Sequence, residues 1–422
     1  MKIGIVKILA LILMVGNVSF GQEIENNKKI KDGEFLRIRP YSFPTYENAY
    51  GYTRFDGSQD DIQKYWSKDE YSDAVSDSSY EFQKLIYSSD GYEVVTYVYK
   101  PKHIKGKPLP AIIFNRGSAN HNDLAPVLIP FMHRLAKKGY VVFAPMYRQS
   151  DGGEGKDQLG GDDVHDLLNM VPLLETLKYV DKENMFMSGE SRGGMMTLQA
   201  IREGFPIKAA AIWGAFYDME KVSNPQLLEY AKQNWGFSST NPSEDFKKRS
   251  VAYWPEKITT PLLIMHGERD NAIPTQNALD IASSLQKNNK LYSLIIFADD
   301  DHILSKNQLE RDYKSIEWFE KFNTDAVKQT ENWLKSKANE EEINNYGYDL
   351  ISRGNIDNAI KIFKIFVQRF PKNPNAYDSL GEALVLKGDI QEGIKNYKIA
   401  LKLTEDPDDK ERIENIILKL ND

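Results

Sequence analysis

The chain has 422 residues, of which 41% are hydrophobic, with a formal net charge of −7 and no cysteine. That length suits two domains with a sizeable core, and the acidic balance speaks against a nucleic-acid partner. The absence of thiols excludes disulfides, thiolate catalysis and a lipid-modified cysteine, and no residue cluster has metal-ligand spacing, so neither metal nor cofactor is expected.

In chain order, Lys2 and Lys7 flank the start of a short apolar run, Ile8 to Val15, and Ser19-Phe20-Gly21 places small residues before Gln22. This predicts a signal peptide over residues 1–21 and a secreted or periplasmic protein, because the run is too short to span a membrane. No later stretch is apolar enough to span one. Residues 22–84 are polar and tyrosine-rich, with turn signals at Asp56-Gly57 and Asp60-Asp61, and read as an extension packing on the domain downstream. A hairpin is predicted from Phe82 to Tyr87 and Tyr92 to Tyr99 around Asp90-Gly91. Apolar runs at Ala111 to Phe114, Val141 to Phe143, Met185 to Met187, Ala209 to Trp213, Leu262 to Met265 and Leu294 to Phe297 alternate with helical patterns. That rhythm predicts an α/β fold over residues 85–323, a mostly parallel sheet with helices on both faces.

The stretch Gly189-Glu190-Ser191-Arg192-Gly193-Gly194 stands where a short buried strand meets the helical pattern of Met195 to Ile201. A Gly-x-Ser-x-Gly at such a junction is a nucleophile elbow, with the hydroxyl at a helix amino end that favours developing negative charge. A hydroxyl needs a base and an orienting carboxylate. Asp270 follows the strand ending at Gly267, and His302 ends the acidic loop Asp299-Asp300-Asp301 after the last strand. The order Ser191, Asp270, His302 is that of the α/β-hydrolase triad. Among the six histidines, His266 is the rival base, but it precedes Asp270 in one loop and reads as a turn-shaping residue; Asp301 is the alternative orienter. For the oxyanion hole the candidates are the backbone of Arg192 and of Gly117 or Ser118, in the Asn115-Arg116-Gly117-Ser118 loop after a strand.

These pieces, with Tyr147-Arg148, the glycine-rich Asp151-Gly152-Gly153-Glu154-Gly155 and His266-Gly267-Glu268-Arg269-Asp270, resemble the catalytic domain of the prolyl oligopeptidase family. The resemblance implies hydrolysis of peptide or ester bonds through an acyl-enzyme. It departs from the family in two respects. The roughly 60 residues between the leader and residue 85 are too few for a β-propeller, and the oxyanion loop lacks the family's paired glycines or tyrosine. The insert of about 45 residues after Trp213 is aromatic, and Trp213, Phe216, Tyr217, Trp235, Tyr253 and Trp254 are candidate substrate-binding residues, with packing onto the sheet as the competing role of each ring.

After a helical linker at 324–339, residues 340–422 repeat. Gly347 and Gly381, Leu350 and Leu384, Gly354 and Gly388, Ile360 and Ile394, and Phe363 and Tyr397 each stand thirty-four residues apart. This resembles two tetratricopeptide repeats plus a capping helix carrying Ile413, Ile416, Ile417 and Leu420, a module for a partner protein or for self-association. The expectation is therefore an exported serine hydrolase acting on peptides or amides. Small acyl or carbohydrate esters are the alternative, and a binding scaffold with a degenerate site is a third reading.

Overall fold

A computed structural model describes residues 30–53, 59–117, 123–222, 225–238, 240–324, 333–352 and 355–421. The predicted leader, Ser118 and most of the first half of the linker lie outside the described residues. Among those described, no helix is long and apolar enough to cross a membrane.

The strands are β1 (Phe35–Arg39), β2 (Tyr50–Thr53), β3 (Gln59–Asp61), β4 (Tyr80–Ser89), β5 (Tyr92–Pro101), β6 (Leu109–Asn115), β7 (Val141–Pro145), β8 (Val180–Glu190), β9 (Ala209–Trp213), β10 (Leu262–Gly267) and β11 (Tyr292–Phe297). Nine of them form one sheet in the order β1-β4-β5-β7-β6-β8-β9-β10-β11, while β2 and β3 make a separate ribbon. From β7 to β11 every pairing is parallel, and β1, β4 and β5 extend the sheet antiparallel. The extension before residue 85 thus does more than pack on the sheet, since β1 pairs with β4 and becomes its edge.

The predicted apolar runs are strands because both sheet faces are covered, which favours continuous β-branched and aromatic stretches over alternation with polar residues. Within each run the side chains still alternate. Ala111, Ile113, Met185, Met187 and Ile212 enter the core beneath the helices Arg192–Arg202 and Gln276–Lys287. Ile112, Phe114, Phe186, Ala211 and Trp213 enter the other, beneath Ala125–Ala136 and Gln308–Glu320. Each such large side chain, removed from water, contributes about 1.5–3 kcal/mol.

The carboxyl-terminal helices are Glu340–Ser352, Ile356–Arg369, Pro374–Lys387, Ile390–Leu403 and Pro407–Asn421. The first two recur thirty-four residues later as the third and fourth, in step with the sequence repeat. Asn373 caps the third, its side chain accepting the Asn375 N–H at 2.9 Å with Pro374 in the first turn, and Gly388 closes it at φ 96°. Gly347 is small because the Phe363 ring occupies the place of a side chain, leaving 2.3 Å to an added Cβ. These helices have their own cores, around Phe363 and Phe366 and around Tyr397 and Ile413.

Candidate active site

The site forms at the carboxyl ends of β6, β8, β9 and β10 and the loop after β11. Ser191 lies between β8 and the helix Arg192–Arg202 with φ 52° and ψ −118°, a strained conformation for a residue with a side chain. The glycines around it are demanded by close approach. A Cβ at Gly193 would meet the Asn115 carbonyl oxygen at 1.8 Å, and one at Gly189 would meet the Gly193 oxygen at 2.4 Å. The Ser191 N–H donates to the Trp213 carbonyl at 2.9 Å, which ties the elbow to β9. Asn115 Nδ2 donates to Thr197 Oγ1, and Thr197 donates to the Gly193 carbonyl, each at 2.8 Å, so the end of β6 is locked to the elbow helix.

His302 sits next to this junction. Gly214, the residue after Trp213, leaves only 3.1 Å between an added Cβ and His302 Nδ1 or Cε1. His302 Nδ1 lies 2.7 Å from Asp270 Oδ2. The other Asp270 oxygen accepts the N–H groups of Ala272 and Ile273, both at 2.8 Å, and holds the carboxylate in the turn after β10. His266 is fully buried, with Nε2 2.8 Å from the Ile273 carbonyl and 3.1 Å from Asp270 Oδ2. It braces the Asp270 loop, in keeping with a turn-shaping role. Asp301 accepts from the backbone of Ile303 and Ser305 and from the Ser305 hydroxyl, so it shapes its own turn while Asp270 pairs with His302.

The electrostatics fit a base held by a carboxylate. Burial opposes the Asp270 charge, but hydrogen bonds from His266 and His302, with the charge of His302, hold the carboxyl well below the usual range. Burial also pushes His302 down; the Asp270 hydrogen bond and charge, then Glu190 and Asp301, more than reverse this and raise it above the ordinary histidine value. Glu190, next to Ser191, is raised by burial against the opposing effects of Arg311, His302 and hydrogen bonds from Trp213 and Tyr52.

On the side of the candidate oxyanion loop, a Cβ at Gly117 would lie 3.3 Å from Ser191 Cβ, so Gly117 borders Ser191. Arg192 opens the helix, where the first-turn N–H groups have no intrahelical acceptor. The aromatic candidates divide. Trp213 points to the opposite sheet face, stacked on Phe114 at 5.8 Å, with Nε1 donating to Glu190 at 3.1 Å. With Glu190 and Tyr52 it lines a small cavity of about 30 Å³. Tyr217, Trp235 and Trp254 are buried in the core that fastens the insert. Phe216 is half-buried, and Tyr253 is exposed, its hydroxyl donating to Glu220. Packing therefore accounts for four of the six rings. Sequence reasoning missed Glu190, Tyr147 and the buried side chains of Arg116 and Arg192; Glu190 was within the elbow motif, whereas the others meet only through the fold.

A strained serine on a strand-to-helix elbow, beside a histidine paired with a buried carboxylate on a largely parallel sheet, defines the serine hydrolases of the α/β-hydrolase class. Residues 131–325 match the model of the prolyl oligopeptidase family. Over this segment the chain is similar to that family of serine-type peptidases. The uncharacterized peptidase YtmA of Bacillus subtilis is 27% identical over 207 residues, covering 48% of this chain and 75% of YtmA. Acylamino-acid-releasing enzyme 1 of Oryza sativa is 28% identical over 209 residues, 44% of this chain but only 27% of that enzyme. A puromycin-hydrolyzing peptidase of Mycobacterium tuberculosis shares the fold with a TM-score of 0.51 at 19% identity, over 59% of this chain and 41% of that one.

Proposed function

We propose that the chain is a serine peptidase that cleaves peptide or amide bonds through an acyl-enzyme, with Ser191 as nucleophile, His302 as base and Asp270 as its orienter. The observation that carries this is the 2.7 Å pairing of His302 Nδ1 with Asp270, placed beside the strained elbow of Ser191. Ser191 Oγ attacks the substrate carbonyl carbon while its proton passes to His302 Nε2. The tetrahedral intermediate holds its negative oxygen on the Arg192 N–H and a donor from the Gly117–Ser118 loop. Collapse expels the amine, which takes the proton from His302, and water activated by the same imidazole releases the acid. YtmA and the rice enzyme are named as a peptidase and as an acylamino-acid-releasing enzyme, which supports amide over ester substrates.

The helix pairs with a thirty-four-residue period support a tetratricopeptide-like module, a site for a partner protein or a second copy. Export rests on the sequence of residues 1–21 alone.

The test compares the purified chain with Ser191→Ala. A fluorophosphonate should label the first and not the second, with melting little changed; labelling of Ser191→Ala would place the nucleophile elsewhere. On aminoacyl p-nitroanilides and a short p-nitrophenyl ester, serine-dependent anilide cleavage supports the peptidase. Ester turnover alone favours small acyl or carbohydrate esters, and neither activity leaves the scaffold reading.

A further inference from the structure

The two chain segments assigned to the oxyanion hole send their side chains to one ring. Arg116, in the Asn115–Gly117 loop, is fully buried, its guanidinium carbon 4.8 Å from the centroid of Tyr147. Its Nη2 donates to the Met146 carbonyl at 2.5 Å and to Ser150 Oγ at 2.7 Å, and its Nη1 to the Gly117 carbonyl at 3.1 Å. Arg192, the residue after the nucleophile, places its guanidinium carbon 4.7 Å from the same centroid. Its two terminal nitrogens pair with Asp157 at 2.6 Å and Asp163 at 2.5 Å. Tyr147 is itself fully buried and held at φ 63°, and its hydroxyl has no hydrogen-bond partner among the described residues.

A tyrosine kept in a left-handed backbone conformation persists only where its surroundings over-determine it. Here the ring accepts two like charges, and burial, with the like charge of Arg192 added to it, lowers Arg116 to about 10. A π face attracts a guanidinium, so one ring stabilises both and fixes their separation. Each arginine is continuous with backbone bordering Ser191: Arg192 through its own N–H, and Arg116 through Gly117, whose carbonyl it also grips.

We propose that Tyr147 is a positioning residue for the oxyanion hole, its ring setting the distance between the backbone donor at Arg192 and the backbone at Gly117. This rests on the reading of Ser191 as nucleophile. The hydroxyl has no part in it, and the flat aromatic face has the whole of it.

The experiment uses the full chain, p-nitrophenyl butyrate, and an alkyl trifluoromethyl ketone, whose hemiketal with a serine places an oxyanion in the hole. Tyr147→Leu should lower kcat by about 10–100-fold with KM within about twofold, and weaken the ketone by the same factor, since small misplacements of preorganised donors cost rates of that order. Tyr147→Phe should restore both values to within about twofold of wild type, because cation–π attraction survives loss of the hydroxyl. Unchanged kcat and ketone affinity in Tyr147→Leu, or equal impairment in Tyr147→Phe, would overturn the proposal. If Tyr147→Leu does not fold, Arg192→Lys keeps a cation for the two aspartates while losing the planar stack. It must then show the parallel loss of kcat and ketone affinity, and a loss in KM alone would sink the idea. Fluorophosphonate labelling separates the two readings: an unlabelled wild type removes the nucleophile and this proposal with it, whereas a labelled wild type with an unaffected Tyr147→Leu overturns this proposal alone.

Discussion

At the scale of single residues, activity and stability pull His302 in opposite directions. Its pKa is raised in the folded protein, so the stability it contributes is complete below the unfolded histidine value of about 6.5 and is lost as pH rises through the folded one. In the proposed mechanism only the neutral form serves as base, so kcat/KM should rise over the same window, on an acid limb lying above the ordinary histidine pKa. A pH–rate profile beside urea midpoints checks both slopes, and a limb below about 6 would contradict the pairing with Asp270. Asp270 has the opposite sign: its lowered pKa contributes stability above the usual carboxylate range that is lost only as pH falls through the depressed value. Asp270→Asn should reduce kcat by about 10⁴-fold with little change in KM, since the imidazole loses both its tautomer and its counter-charge. Glu190→Gln should shift the acid limb to lower pH by removing a negative charge that raises His302, while the amide oxygen still accepts from Trp213 Nε1. An unmoved limb would show that the Glu190 field does not reach the imidazole.

At the scale of elements, the elbow works because β8, the helix after it and the end of β6 are closer than side chains permit. Gly193 is the tightest point, against the Asn115 carbonyl. Gly193→Ala must move backbone on one side or the other, and should cost about 3 kcal/mol or more in urea unfolding. It should also separate Ser191 from the oxyanion loop, so any folded fraction would have low kcat. The segment that follows the glycine-rich loop after β7 is bound to the elbow helix by the buried Arg192 pairs with Asp157 and Asp163. Removing either carboxylate leaves part of a buried charge uncompensated, a loss of about 3–5 kcal/mol, whereas exposed pairs such as Lys68 with Glu47 are screened by solvent and contribute little.

At the scale of the whole molecule, the hydrolase and the terminal helices have separate hydrophobic cores. Between them lies a groove of about 1110 Å³ that borders Tyr292, Trp318 and Phe322 on one side and Tyr346, Leu350 and Leu386 on the other. The groove meets β11 at its start, Tyr292 and Ser293, at the opposite end of the strand from the loop that carries His302. Deleting residues 325–422 should therefore leave kcat/KM on a small ester within about twofold, while uncovering Trp318 and Phe322 and lowering solubility. Loss of activity in a still folded, soluble product would show that the helices complete the site.

The parts of this protein legible in its sequence are those carried by local chemistry. The elbow was readable because a sharp strand-to-helix turn admits few residues, and Asp270 and His302 because they come after buried strands in chain order. The strands at Ala111, Val141, Met185, Ala209 and Leu262 were readable as apolar runs, and the terminal helices as a thirty-four-residue period. What only the tertiary structure decided depends on which distant residues share a face. Strand alternation set Trp213 in the core on one sheet face, and packing set Tyr217, Trp235 and Trp254 in the core on the other. β1 joined the sheet because β4 offered an edge, which nothing in its own five residues announces. Arg116, Tyr147 and Arg192 read as three unrelated positions until the ends of β6, β7 and β8 bring them together. A buried charge finds its partner through the packing of several elements at once, and that information is spread across the chain and held in no single motif.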